Sequence, residues 1–219
     1  MKREHTNISS LTPLQYIEAI IGEQWIDTLF TPNNNTRVVC EFMVTKYPSS
    51  IAGGAADFNN GAIPQFGARY IWNDRMFGCS VPANYYYESY FSLYGNKNKS
   101  YYDYSILNNT FLVDGNKNVW KIYKNGTLSY NYTYSNQTFT CPFSMYLFSI
   151  HSHNSGWGGT DTIIVKNDGQ LRMFSCDIYD NGTQIRQFRP YLNAGEAGML
   201  DELNNVWYGN NGTGEFLYA

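Results

Sequence analysis

Apolar and polar residues alternate with a period of two along most of this chain. Residues 36–45 are the clearest case. Val38, Cys40, Phe42 and Val44 fall on one side, and Arg37, Val39, Glu41, Met43 and Thr45 on the other. Successive side chains of a strand point to opposite faces, so this run predicts a strand with one apolar and one mixed face. Further on, Thr162-Ile163-Ile164-Val165, residues 171–179 and residues 183–188 form three runs, separated by Lys166-Asn167-Asp168-Gly169 and by Asn181-Gly182. Asn-Gly and Asp-Gly pairs tolerate the positive φ of a type I′ turn, so the stretch predicts a β-meander. A loop is expected after Arg189-Pro190, leading through Gly198-Met199-Leu200-Asp201 to Val206-Trp207-Tyr208. A closing hairpin is expected about Asn211-Gly212, with Glu215-Phe216-Leu217-Tyr218 as its second strand and Gly212 at positive φ.

The rest of the chain reads in the same way. Residues 68–77, 85–93, 101–107, 110–113, 119–123, 127–134 and 144–150 are strand candidates, the last as a central strand. Gly95-Asn96-Lys97-Asn98-Lys99, Asp114-Gly115 and Asn125-Gly126 are the turns between them, and residues 49–67 are a Gly- and Ala-rich loop. Leu14, Ile17 and Ile21 sit at helical spacing behind Thr12-Pro13, but Gly22 divides the segment and short strands are expected there. About a dozen short strands with turn signals every 8–12 residues predict an all-β sandwich or barrel rather than βαβ units. Nothing repeats at a fixed period and no linker divides the chain. A single domain is expected over residues 11–219. Residues 1–10 are polar and lack apolar periodicity, so they are expected to form an N-terminal arm that contacts another chain.

Two segments carry a resemblance to a known family. The run IYDNGTQIRQFRPYLNAGEAGMLDELNNVWYGNNGTGEFLYA, residues 178–219, resembles the closing segment of concanavalin A-like (LamG-like) jelly-roll modules. Tyr16-Ile17-Glu18, Gln24-Trp25-Ile26-Asp27-Thr28 and Asn35-Thr36-Arg37-Val38 are similar to the opening of the same group, so the resemblance spans roughly residues 14–218. Such modules occur in phage virion proteins and in gut-bacterial surface proteins. The resemblance implies a concanavalin A-like jelly-roll β-sandwich of two antiparallel sheets, with the terminal strand returning beside the N-terminal one. It also implies a virion structural or adhesion module exposed on a phage capsid or tail, made in a bacterial cytoplasm. The alternative is a carbohydrate-binding, lectin-like module of a bacterial surface protein. The partners so implied are other virion proteins, host-surface glycans and further copies of the same chain.

Composition narrows the function. In 219 residues, charge is low at 15% and the net charge is −3, which leaves no basic footprint for phosphate contacts, so nucleic acid is not an expected partner. No run approaches the length of a membrane-spanning helix, so no membrane insertion is expected. Cys40, Cys79, Cys141 and Cys176 stand far apart without metal-ligand spacing and are expected as buried thiols, their pairing left open.

Candidate chemistry is sparse. A glycosidase needs two carboxylates placed across the sugar. The Glu-x-Asp-x-x-Glu run of laminarinase-like enzymes of this fold is absent, Asp201-Glu202 is adjacent and loop-like, and Glu18 and Asp27 are isolated, so no catalytic residue is expected and the chain is expected not to be an enzyme. His151-Ser152-His153 with Asp161 falls short of a zinc ligand set, and these histidines are expected in an exposed loop, with no metal or other cofactor. Calcium sites in laminin-G-like relatives use oxygen ligands, but no spaced ligand run assigns one here. Aromatic residues, 17% of the chain with 20 tyrosines, are the remaining signal. Trp157, set between glycines and followed by Asp161, is the leading candidate to stack on a sugar, with Tyr85, Tyr86 and Tyr87 second.

Overall fold

The computed structural model describes residues 3–5, 10–20, 24–46, 62–70, 75–82, 88–92, 98–101, 108–116, 119–133, 143–149, 151–152 and 170–219. In chain order the strands are β1 (Arg3–His5), β2 (Thr12–Pro13), β3 (Ile17–Ala19), β4 (Ile26–Asp27), β5 (Thr36–Lys46), β6 (Ala62–Tyr70) and β7 (Arg75–Pro82). Next come β8 (Glu88–Ser92), β9 (Asn98–Tyr101), β10 (Thr110–Asn116), β11 (Val119–Lys124), β12 (Thr127–Thr133), β13 (Tyr146–Leu147) and β14 (His151–Ser152). The last five are β15 (Gln170–Asp180), β16 (Thr183–Asn193), β17 (Glu196–Asp201), β18 (Val206–Tyr208) and β19 (Leu217–Tyr218).

These strands make two sheets, the all-β sandwich expected from the alternation. The larger runs β1-β18-β17-β16-β15-β5-β10-β11-β12, with β2, β3 and β19 attached, and the smaller runs β4-β13-β6-β7-β8-β9 with β14 on β6. All pairings are antiparallel except β14 with β6. The alternation in β5 is realised in full: Val38, Cys40, Phe42 and Val44 are buried, while Arg37, Val39, Glu41 and Met43 are half-buried on the other face. The core lies between the sheets. Phe111, Val113, Met173, Cys176, Ile178, Phe188 and Met199 of the large sheet meet Ile26, Met145, Leu147 and Phe148. Phe216 closes it against Phe148, with ring centroids 4.8 Å apart.

Turn chemistry explains several joints. Asn125-Gly126 (φ 48° and 77°) and Asn181-Gly182 (φ 50° and 80°) have the paired positive φ of type I′ hairpins, which match the strand twist. Ala194-Gly195 (φ 48° and 89°) does the same between β16 and β17.

Elsewhere the structure differs from the sequence reading. Asp114-Gly115 is no turn. Both residues stay in β10, paired with Val39-Val38 on one side and Lys121-Trp120 on the other, and Asn116 makes the turn by accepting a bond from the Val119 N–H at 3.0 Å. Residues 68–77 are not one strand but parts of β6 and β7, paired from Tyr70 with Arg75. The expected central strand over 144–150 pairs only through Tyr146–Leu147, because Phe148 turns into the left-handed region at φ 64°.

Arg189-Pro190 does not end its strand either. β16 continues to Asn193, and Leu14 N–H donates to the Pro190 carbonyl at 3.0 Å. A residue's N and C=O face the same side of a strand. The missing N–H therefore falls where β16 has parted from β15 and β2 has yet to begin, a position where proline forfeits little.

The closing hairpin is also corrected. β18 pairs with β17 and β1, whereas β19 crosses to β3, beside the N-terminal segment. Gly214 (φ 72°), not Gly212, carries the positive φ there. Arg3–His5, in the expected N-terminal arm, form a strand of this sheet, in register with Tyr208–Val206.

Candidate binding face on the large sheet

Trp157, Asp161, Tyr85, Tyr86 and Tyr87, the sugar-contact residues nominated from the sequence, lie outside the described residues. So do His153 and the Thr162-Ile163-Ile164-Val165 run. His151 is not in an exposed loop. It sits half-buried in β14, its Nδ1 3.0 Å from the Ser144 carbonyl oxygen, and its ring stacks on Tyr146 at 4.2 Å. Tyr146 in turn stacks on Trp25 at 4.3 Å. Among the described residues no three His, Cys, Asp or Glu side chains gather as a metal site.

Among the described residues, polar chemistry concentrates on the large sheet, on the face turned away from the core. Because β5, β10 and β15 are in register, Asp177, Val39, Asp114 and Lys121 form one row across four strands, and Tyr179, Arg37 and Asn116 the next. Two arginines grip two aspartates in forked pairs. Arg37 donates from Nε and Nη2 to Asp114 at 2.7 and 3.0 Å, and Arg189 donates from Nη1 and Nη2 to Asp177 at 2.7 and 3.3 Å. Forked geometry fixes the guanidinium plane as well as the charge. The Arg37 guanidinium lies 4.8 Å from the Tyr179 ring centre, a cation–π contact.

A third pair extends the face. Arg172 donates to Glu18 at 2.6 Å and stacks over Tyr16 at 4.3 Å, while the Thr45 hydroxyl donates to the other Glu18 oxygen. Tyr191 donates to Glu202 at 2.9 Å.

These partners set the charge states. Arg37 is held more basic than usual, first by its bond to Asp114. For Arg189 burial pulls the other way, but the bond to Asp177 and the surrounding carboxylates prevail. Burial first, then Glu202, raises Tyr191, so its hydroxyl stays a proton donor at neutral pH.

A cleft of about 470 Å³ opens where β16 turns into β17, lined by Gly195, Glu196, Asn210, Glu215, Phe216 and Tyr218 among others. Asn210 organises its far wall. Its Oδ1 accepts from the Trp25 and Gly212 N–H groups at 3.1 and 2.9 Å, and its Nδ2 donates to the Gly214 carbonyl at 2.9 Å. On the neighbouring strands Trp207 packs so closely over Gly198 that a Cβ there would lie 2.7 Å from its ring.

The sequence reading placed Arg37 and Thr45 on one face of β5 but missed their partners, Asp114 and Glu18. These, like Asp177 for Arg189, become partners only through strand pairings that the local pattern does not reveal.

No family model matches this chain, and neither does any curated protein. A solved structure, an alginate lyase of polysaccharide lyase family 7, matches with a TM-score of 0.34 and 12% identity, over 66% of this chain and 58% of that one. This chain thus spans a little over half the length of the matched structure. The expectation that the chain is not an enzyme is corrected by this finding, since the structure it matches is one. The likeness assigns no residue a role.

Proposed function

We propose that the chain is a glycan-binding β-sandwich module of the adhesion type, and that the outer face of the large sheet holds the glycan. The observation that supports this is the forked pairing of Arg37 with Asp114 and of Arg189 with Asp177, set beside the half-buried Tyr179 ring. Paired ions present fixed donors and acceptors side by side, the pattern that adjacent sugar hydroxyls satisfy. A tyrosine ring offers an apolar plane for the sugar's C–H face. The carboxylates on this face already neutralise its guanidinium groups, which favours a neutral glycan over an anionic one. The setting that goes with this reading is the surface of a virion or of a bacterial cell, where such a face meets host glycans.

Calorimetric titration against neutral and anionic polysaccharides tests it. Neutral chains should bind and anionic ones should bind more weakly. Tyr179→Ala should weaken binding roughly tenfold, the size of one lost aromatic contact, with the melting temperature nearly unchanged. Binding that survives Tyr179→Ala and Asp177→Asn alike would place the glycan elsewhere. Reading the same panel for chain shortening separates binding from turnover.

A further inference from the structure

Cys40 and Cys176 are both thiols with no solvent exposure, roughly 140 residues apart in sequence. The register of β5 and β15 sets them directly opposite each other in the middle of the large sheet, with both side chains on the core face. We propose that this pair is a disulfide site, a cross-strand bond that staples β5 to β15 when the chain folds in the presence of a disulfide oxidant.

The geometry suits the bond. Directly opposed residues of antiparallel strands have Cα atoms about 4.5–5.5 Å apart, inside the roughly 4.4–6.8 Å that a disulfide spans. Their Cβ atoms, about 4.5–5.5 Å apart, need to close by about 1 Å or less. Cys79 has Phe66 and Phe91 opposite it, so no second cysteine shares its row.

The chemistry is exchange with a small-molecule disulfide such as oxidised glutathione. The thiolate of one cysteine attacks it, forming a mixed disulfide and releasing one glutathione thiolate. The second protein thiolate then attacks the protein sulfur of that mixed disulfide and releases the other. Two protein thiols are oxidised to one disulfide, one glutathione disulfide is reduced to two thiols, and the two protons end on glutathione. Because neither sulfur is exposed in the folded sandwich, the exchange takes place before the core closes.

Refolding the full chain from denaturant, once in excess oxidised glutathione and once in reductant, tests the site. Alkylation followed by non-reducing peptide mapping should give one linked peptide pair, Cys40 with Cys176, and alkylated Cys79 and Cys141. Closing so long a loop should raise the melting temperature by about 10 °C over the reduced form, and reductant under denaturing conditions should abolish the gain. In Cys40→Ala the linked pair and the difference between the two refolding conditions should both vanish. If that variant does not fold, peptide mapping of the unaltered chain still decides. Alkylation of all four cysteines, a different pairing or an unchanged melting temperature overturns the proposal.

Discussion

Ala194 occupies a left-handed position, φ 48°, that costs an alanine about 1–2 kcal/mol relative to a residue at home there. Its neighbour Gly195 completes a type I′ turn, where Asn-Gly is the favoured pair. Ala194→Asn should therefore stabilise the protein by about 1 kcal/mol in urea denaturation. Gly198 is the opposite case. An added methyl meets the Tyr208 carbonyl at 2.6 Å and the Trp207 ring at 2.7 Å, so Gly198→Ala should cost about 1–3 kcal/mol by the same measurement. Two tyrosines give a pH dependence. Burial, with help from Asp27, raises Tyr146, and burial with Glu202 raises Tyr191, each above the usual value near 10. A phenol whose folded pKa is raised contributes stability that is full below its unfolded pKa and is lost as pH climbs toward the folded one. The melting temperature should thus fall on alkaline titration above pH 10, and less so in Tyr146→Phe and Tyr191→Phe. At this scale the sequence was legible where chemistry is local. Asn125-Gly126 and Asn181-Gly182 announced their turns, whereas Ala194-Gly195 carries no such signal and Asn211-Gly212 carries one that the surrounding loop overrides.

Among the elements, period-two alternation found β5, β11, β12 and β15 nearly to the residue, and in β5 and β15 the apolar positions are buried while those between them are half-buried. It failed where a breaking residue sits harmlessly, as at Pro190 within β16, and where an apolar run folds across the core without pairing, as around Phe148. The segment between β18 and β19 looked like a hairpin loop and is instead a tether to residues 24–27, held through Asn210, Asn211 and Gln24. Asn210→Ala removes the acceptor for the Trp25 and Gly212 N–H groups and the donor to Gly214, and should cost about 2 kcal/mol. β19 itself buries little, since Leu217 and Tyr218 are about half exposed. Deleting residues 217–219 should cost less than Asn210→Ala, a ranking that denaturant midpoints check directly.

For the whole molecule, the fold class was legible because the long strands β5 and β15 and several others repeat the same alternation. The candidate face was only half legible. Arg37, Val39, Glu41 and Met43 announced a mixed outer face on β5, but Asp177 comes into line with Val39 only once strands 140 residues apart are paired. That pairing also sets a timetable for folding. β5 lies inside the large sheet, with β10 on one side and β15 on the other. β10, β11 and β12 follow one another through short turns, so this side can zip up early. β15 leaves the ribosome roughly 10 s or more after β5 at ordinary rates of synthesis. Throughout that interval one edge of β5 has no strand beside it, and its apolar core face of Val38, Cys40, Phe42 and Val44 lacks the flanking cover of β15. Unpaired strand edges recruit neighbouring chains, so the nascent protein's period of greatest aggregation risk lasts until β15 arrives.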